Sequence, residues 1–395
     1  MIDFEEALAR LLAGANAVPE TEIVPTQAAA GRILAQGLRS TIDVPPLDNT
    51  SMDGYAVRCA DVPAAGTRLV VAQRIPAGSV GHVLAPGTAA RIFTGAPLPA
   101  GADAVVMQEL CALEGGSVTV NHLPRPGEWI RRRGEDIAAG AEVLAAGTRL
   151  SAAHVGVAAS VGAAQLTVFR RLRVALFSTG DELAMPGEPL KPGGIYNSNR
   201  YTLRALLEGL GCEVADLGIV PDSRDATRTA LREAAAANDL ILTSGGVSVG
   251  EEDHVKPAVE AEGSLDLWKI AIKPGKPLAF GRVGAAAFIG LPGNPVSSFV
   301  TFIMLVRPFI LKAQGASSVT PRAQALRADG EFKGDPRREF LRARINPEGG
   351  LDLFANQSSG VLTSCTWADG LIDNPPGQAI RRGDTVRFLP FSELL

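Results

Sequence analysis

The chain lacks most of what covalent chemistry or soft-metal binding requires. Its 395 residues include only four cysteines and four histidines. Cys59, Cys111, Cys212 and Cys365 are scattered and form no CxxC pair. They read as reduced thiols of a cytoplasmic protein rather than a disulfide framework. No two histidines are near each other in sequence, which excludes a His-rich zinc site. A cationic excess is also missing: 38 basic residues stand against 42 acidic ones, for a net charge of −4. A general nucleic-acid binder is usually basic overall, so no nucleic-acid partner is expected and any cationic site must be local. The acidic N-terminus shows no signal peptide. The longest apolar run, Phe299 to Val306, is too short to span a bilayer, so no membrane association is expected.

What is present is apolar and loop-rich. Hydrophobic residues make up 46% and charged residues 20%, which excludes a disordered tail protein. The 43 glycines and 27 prolines follow no period, so they mark turns and not collagen. The length allows two to four domains.

A first helix is expected after Asp3, with Glu6 as reciprocal capping partner, an apolar face of Phe4, Leu8, Leu11 and Leu12, and a stop at Gly14. From Val44 to Ala146 helical periodicity disappears. Short apolar segments between Gly and Pro clusters predict a β-rich region there. From Arg171 strands and helices alternate. Strands are expected at 174–177, 213–217, 240–243, 268–272 and 286–289. Helices are expected around Leu203–Leu210, over 223–237 with Asp222 or Ser223 as cap, and from Val296. Such alternation implies a parallel sheet with helices on both faces, and ligands bind beyond its strand ends. From about Ala323 short strands return, and a small β-barrel or sandwich fits.

The glycine-rich stretches sit at those strand ends. Ser244-Gly245-Gly246-Val247-Ser248-Val249-Gly250 allows backbone N–H groups to approach an anion. An ordinary strand–helix turn is the plainer alternative. The acids after it make sense if Asp253 holds a metal that bridges to phosphate. Lys269, Lys273 and Lys276 crowd one segment. Lys269 and Lys273 are four apart and would face the same side of an extended strand, which is unfavourable unless an anion lies between them. Three solvated surface lysines remain the alternative. Arg131-Arg132-Arg133-Gly134-Glu135-Asp136 suggests cation-binding acids beside anion-binding arginines, or a solvated face. Asp48-Asn49-Thr50-Ser51-Met52-Asp53 offers oxygen ligands, and Ile92-Phe93-Thr94-Gly95 a hydroxyl in a rigid turn; both also suit plain turns. In Leu291-Pro292-Gly293-Asn294-Pro295 the prolines stiffen a loop whose Asn294 could recognise a heterocycle. Carboxylate loops and cation loops without a nucleophile–base constellation suit a metal-assisted reaction on an anionic phosphate substrate.

These stretches, with Ser178-Thr179-Gly180-Asp181-Glu182-Leu183, occur in an order that resembles the MoeA and gephyrin E-domain family nearly end to end. The resemblance implies a multidomain α/β plus β fold. It divides the chain into a linker or dimerisation domain (21–43 and 147–170), a β-rich lid-like domain (44–146), a MogA-like α/β domain (1–20 and 171–320) and a C-terminal β-barrel (321–395). It implies Mg²⁺-dependent insertion of molybdate into adenylylated molybdopterin, giving molybdenum cofactor and AMP. It further implies an L-shaped homodimer with the site between subunits, and leaves room for molybdopterin adenylyltransferase and recipient molybdoenzymes as partners. Carried over by position, Asp53, Thr94 and Asp136 match functional residues of the N-terminal region. Glu182 and Asp253 match acids of the α/β domain and would organise Mg²⁺. Lys269, Lys273 and Lys276 match its lysines, and Pro292 and Pro295 its rigid loop. Arg342 and Ser359 match in the barrel, where Arg342 and the lysines would hold molybdate or phosphate. In the same stretch Asp373-Asn374 interrupts an expected apolar segment. A preceding adenylyltransferase activity and a non-enzymatic scaffold are the competing readings. The first lacks the regions holding Asp53 and Asp136; the second has a fused enzyme domain that this chain lacks.

Overall fold

The structure of the protein, a computed structural model, describes residues 1–246 and 254–395. Ser248 and Asp253 lie outside the described residues. The central domain follows from strands that are apolar on both faces. In β1 (Arg173–Thr179), Val174 and Leu176 pack to one side of the sheet while Ala175 and Phe177 pack to the other. The remaining elements of this domain are α1 (Phe4–Gly14), α2 (Ser198–Gly209), β2 (Glu213–Val220), α3 (Arg224–Ala237), β3 (Leu240–Ser244), α4 (Val255–Glu262), β4 (Gly263–Lys269), β5 (Pro277–Val283), β6 (Ala286–Leu291) and α5 (Pro295–Ala313). The sheet order is β2-β1-β3-β6-β5-β4. Helices α1, α2 and α5 share a core with one face, and α3 and α4 with the other.

The expected parallel sheet holds only for β2, β1, β3 and β6. Strands β5 and β4 add an antiparallel edge. The reason is the turn between β5 and β6, which is only Gly284 and Ala285, with Gly284 at φ +57°. Two residues cannot make the crossover that a parallel pair needs. The strand expected at 268–272 is also corrected: β4 ends at Lys269, and Ile272–Lys273 forms a separate short strand.

Capping follows the sequence in part. The Asp3 carboxylate accepts from the Glu6 N–H at 2.8 Å. Glu6 does not reciprocate, because its side chain pairs with Arg10 one turn on. Ser223, not Asp222, caps α3. Helix α5 contains a π-helical stretch, Phe302–Val306. Its length and composition would suffice to cross a membrane, but 94% of its apolar window is buried in the core.

In the N-terminal half a six-stranded sheet runs in the order Ala104–Met107, Gly54–Val57, Thr88–Ile92, Thr67–Ile75, Ser117–Val120, Cys111–Glu114. Beside it, Thr21–Pro25 pairs with Gln165–Phe169 over a small core that includes Val24, Leu34, Leu150 and Val168. At the C-terminus, Arg338–Ile345, Gly370–Asn374, Thr385–Pro390 and Gln324–Arg327 form a continuous antiparallel path. Leu351–Leu353 pairs with Arg338–Ile345, and a bridge from Ala328 to Leu351 closes the path into a barrel. The barrel is fastened to the α/β domain by the parallel pairing of Ile272 and Lys273 with Arg338 and Glu339. Phe340, Leu371 and Leu389 share the apolar core of α1 and α5. Asp373 and Asn374 are buried in this seam although they are polar. Asp373 is paired by Arg338 at 2.6 Å and Arg387 at 3.2 Å.

Candidate functional site

A cleft of about 830 Å³ opens beyond the C-terminal ends of β1, β3 and β6. This is where open α/β sheets place ligands. Thr179 and Glu182 follow β1, and Ser244, Gly245 and Gly246 end β3. Pro292 and Asn294 follow β6, and Lys273 and Lys276 rise from the short strand beyond β4. The barrel supplies the far wall with Arg337, Gln357, Ser358 and Ser359.

The glycines are required here. Gly245 and Gly246 have φ of +87° and +65°. A Cβ on Gly246 would stand 2.4 Å from Val255 Cγ2 and 2.7 Å from Thr179 Oγ1. No larger residue fits there without displacing the loop. Ser244 is buried, with its hydroxyl 3.2 Å from that of Ser178. Pro295 is the first residue of α5 and does not line the cleft; it sets the helix start without requiring an N–H. Asn294 is exposed on the cleft, and its amide has no hydrogen-bond partner among the described residues. The Val296 N–H donates to the Ser359 carbonyl at 3.0 Å, which ties the barrel wall to α5.

The three lysines separate. Lys276 is exposed on the cleft and makes no ion pair among the described residues. Lys273 lies 3.2 Å from Asp335 and 3.1 Å from the buried Glu339. Burial pulls the Lys273 ammonium down, but the Glu339 and Asp335 carboxylates outweigh it and hold the group above the ordinary lysine value. Lys269 does not line the cleft. The strand breaks at Ile270–Ala271, so the alternation that would set Lys269 beside Lys273 is lost.

Arg342 stands behind the wall and not on it. Its guanidinium is fully buried, donating to Ser364 Oγ (3.1 Å), the Phe340 carbonyl (3.2 Å) and the Ser358 carbonyl (3.4 Å). Burial holds it below the usual arginine value. No carboxylate pairs with it among the described residues. It is thus an uncompensated cation beneath Ser358 and Ser359.

Asp53, Thr94 and Asp136 do not line this cleft. Asp53 and Thr94 sit at the neighbouring ends of the paired strands Gly54–Val57 and Thr88–Ile92, while Asp136 lies on the segment whose Ile137 bridges to Val44. Asp53 Oδ1 accepts from the Thr94 N–H (2.7 Å) and the Thr94 hydroxyl (2.8 Å). Those two donors hold the Asp53 carboxyl below its ordinary range. Asp136 is exposed, and its backbone N–H donates to the Val44 carbonyl at 3.0 Å. Two arginines of the basic run beside it have acid partners. Arg132 pairs with Asp48 at 2.7 Å and Arg133 with Asp43, while Glu135 accepts from the Arg132 N–H at 2.7 Å and closes a turn.

Sequence reasoning missed several lining residues. Asn197 caps α2 by accepting from the Arg200 N–H at 3.1 Å, and Asn199 donates to the Gly293 carbonyl at 2.7 Å across the cleft. The Asn-Ser-Asn run before a helix was the available signal. Asp222 lines the cleft although only a capping role was expected of it. Arg337 had no signal in its spacing.

Hard oxygen donors are present for a magnesium ion. Glu182 and Asp222 both line the cleft. The described residues contain no group of three or more His, Cys, Asp or Glu that could hold a metal alone. One or two carboxylates completed by substrate phosphates is the usual Mg²⁺ arrangement, so the donor set fits.

Comparison with known proteins gives the same picture along the whole chain. Residues 2–162 match the MoeA N-terminal region (domain I and II), 175–312 the "Probable molybdopterin binding domain", and 325–391 the MoeA C-terminal region (domain IV). The chain is 40% identical to the molybdopterin molybdenumtransferase of Haemophilus influenzae, covering 100% of both chains. It is 39% identical to the Nostoc protein of the same name, covering 94% of this chain and 88% of that one. Among solved structures it is similar to a molybdopterin biosynthesis moeA protein from Pyrococcus horikoshii OT3, with a TM-score of 0.85 at 29% identity, covering 99% of this chain and 100% of that one.

Proposed function

The chain belongs to the MoeA family of molybdopterin molybdenumtransferases, enzymes of molybdenum cofactor biosynthesis, and on that premise we propose that it inserts molybdate into adenylylated molybdopterin and releases AMP. The observation that carries the reading is the cleft itself. Glycine loops at the ends of β1 and β3 face Lys273, Lys276 and Arg337 across about 830 Å³, and no nucleophile–base pair is needed. The substrate dithiolene supplies the sulfurs that replace molybdate oxygens, so the protein's task is to bind and align.

The Gly245-Gly246 turn and Lys276 take the phosphates, and Asn294 with Asn197 borders the remainder of the substrate. Lys273 lines the cleft and would donate to the molybdate oxyanion, while Arg342 behind the wall holds the Ser358 carbonyl in place. Glu182, with Asp253 and Asp222, would hold Mg²⁺. When bound, the ion neutralises charge on the phosphoanhydride. Asp53, Thr94 and Asp136 lie on a different domain from the cleft, which supports their delivery by the partner subunit of a homodimer. The Thr94 donors keep Asp53 ionised at the pH of the cell, so it would act there as an acceptor or cation ligand.

The test is direct. Incubation with adenylylated molybdopterin, Mg²⁺ and molybdate should release AMP in step with cofactor formation. AMP release that ignores molybdate would overturn the reading, and a monomeric mass by light scattering would remove the dimer from it.

A further inference from the structure

One arginine of the N-terminal sheet lies outside the cleft and outside every motif singled out in the sequence. Arg91 belongs to Thr88–Ile92, a strand paired on both sides, with Gly54–Val57 and with Thr67–Ile75. Its two terminal nitrogens go to neutral acceptors and not to a carboxylate. Nη1 donates to the Gly54 carbonyl at 3.0 Å, and Nη2 donates to Gln108 Oε1. Two rings lie against the same guanidinium, Phe93 with its centroid 4.6 Å from the central carbon and Tyr55 at 5.2 Å. Each contact is one step from the Asp53–Thr94 pair. Gly54 follows Asp53, and Phe93 precedes Thr94. Gln108 donates its backbone N–H to the Asp53 carbonyl at 3.1 Å. Asp53 and Thr94 themselves stand just outside the strands. The two Thr94 donors fix the pair to each other. Their aim relative to the sheet comes from what holds their chain neighbours.

We propose that Arg91 is the positioning residue of the Asp53–Thr94 pair. From a strand held on both edges it ties down the residue after Asp53, the residue before Thr94 and the side chain of Gln108. It thereby sets the direction in which the carboxylate and the hydroxyl face the substrate. The inference rests on the part given to Asp53 and Thr94 in the transfer reaction. The task suits arginine alone among the cations. Its planar fork reaches two acceptors at once, and its face stacks on aromatic rings. Charged donors also make stronger hydrogen bonds than neutral ones. Lysine brings the charge without the plane. Placement matters because a reacting group displaced by about 1 Å costs about a hundredfold in rate.

Amide hydrogen exchange and steady-state kinetics on the full chain, with adenylylated molybdopterin, Mg²⁺ and molybdate, test this together. In Arg91→Gln the amides of Thr94 and Gln108 should exchange about tenfold faster, while those of Ser117–Val120 keep their rate. Turnover should fall about ten- to a hundredfold with KM for adenylylated molybdopterin within about twofold, since the cleft is untouched. Arg91→Lys should recover only part of the loss. Thr94→Ala already loosens the pair, so adding Arg91→Gln to it should slow turnover less than Arg91→Gln does alone. A sheet weakened as a whole would show the full loss in both backgrounds, and that result overturns the positioning role. Full recovery in Arg91→Lys overturns it too, because charge alone would then suffice. Unchanged exchange at Thr94 and Gln108 removes Arg91 from the support of the pair. If those amides loosen while turnover stays full, the part given to the pair in the reaction fails and the proposal falls with it. If the unsubstituted chain is inactive, the functional reading fails, and the exchange result still decides whether Arg91 holds the pair. Gln108→Ala covers the case of an Arg91→Gln chain that does not fold. It removes one acceptor of the fork and should give the same changes in smaller measure, and no change at Thr94 overturns the proposal.

Discussion

The junction between the α/β domain and the barrel can be tested through Arg338. Its Nε and Nη2 reach the two oxygens of Asp373 at 2.6 and 2.7 Å, and its Nη1 reaches Glu5 of α1. The guanidinium carbon stands 4.6 Å from the Phe4 ring centroid. Burial works against the Arg338 charge, yet the Asp373 carboxylate overrides it and holds the group above its usual value. Asp373 is 3% exposed, so removal of its partner leaves a buried carboxylate. Breaking such a pair costs about 3–5 kcal/mol. Arg387 remains 3.2 Å away but is half-exposed, so the low end applies. Loss of the Phe4 contact adds about 0.5–1 kcal/mol. Arg338→Met, which keeps the apolar stem, should therefore weaken the seam by about 3.5–4 kcal/mol. Hydrogen exchange suits a chain with several cores better than a single melting curve. Amides of Gly370–Asn374 should exchange about three hundred- to eight hundredfold faster in the variant. The double variant Arg338→Met/Asp373→Leu should recover most of the loss, because it leaves no buried charge. Exchange within about threefold of the original, or a double variant as weak as the single one, would refute the reasoning.

Three further outcomes are expected. Asp53→Ala should abolish cofactor formation with an unchanged circular-dichroism spectrum, and full turnover would remove Asp53 from the site. Burial pushes the Cys59 and Cys212 thiols up to about 12 and Cys111 to about 11. Iodoacetamide at pH 7.5 should accordingly label these three slowly until the chain is unfolded, and rapid labelling of the folded protein would contradict that burial. Burial raises the Asp239 carboxyl, but the bidentate Arg170 contact and the Arg173 N–H outweigh it and hold the group below its ordinary 3.8. A carboxyl depressed by folding contributes stability that is complete above about pH 4 and is lost as the pH falls through the folded value. Urea unfolding should show Asp239→Asn losing part of that acid dependence, and an identical slope below pH 4 would count against the pairing.

The fold was legible where periodicity is local. The α/β alternation, the α1 face and the glycine turns at the ends of β1 and β3 all depend on neighbours within a dozen residues. The errors share one cause, which is contact between distant segments. Lys269 and Lys273 would face the same way on an unbroken strand. The strand breaks because Ile2 docks there: its N–H donates to the Lys269 carbonyl at 3.0 Å, and its carbonyl accepts from Ala271 at 2.8 Å. Nothing near residue 270 announces a partner at residue 2. The acids that partner Arg132 and Arg133, Asp48 and Asp43, likewise lie more than 80 residues away in the sequence.

Asp373-Asn374 has the same explanation from the opposite side. As sequence it looks like a flaw in an apolar strand. In the fold it is the point where the barrel meets α1, and an apolar residue there would leave Arg338 with only the exposed Glu5. The same seam continues one residue along the strand to Glu339, which faces Lys273 on the cleft wall. Domain docking and support of the cleft wall are therefore built on adjacent residues of one strand, 338 for the seam and 339 beneath Lys273. Residue alternation along that strand makes the two roles compatible, since neighbouring side chains point to opposite faces. The barrel is on this ground a structural part of the cleft: without it Lys273 loses both of its acids, and the wall opposite the glycine loops disappears.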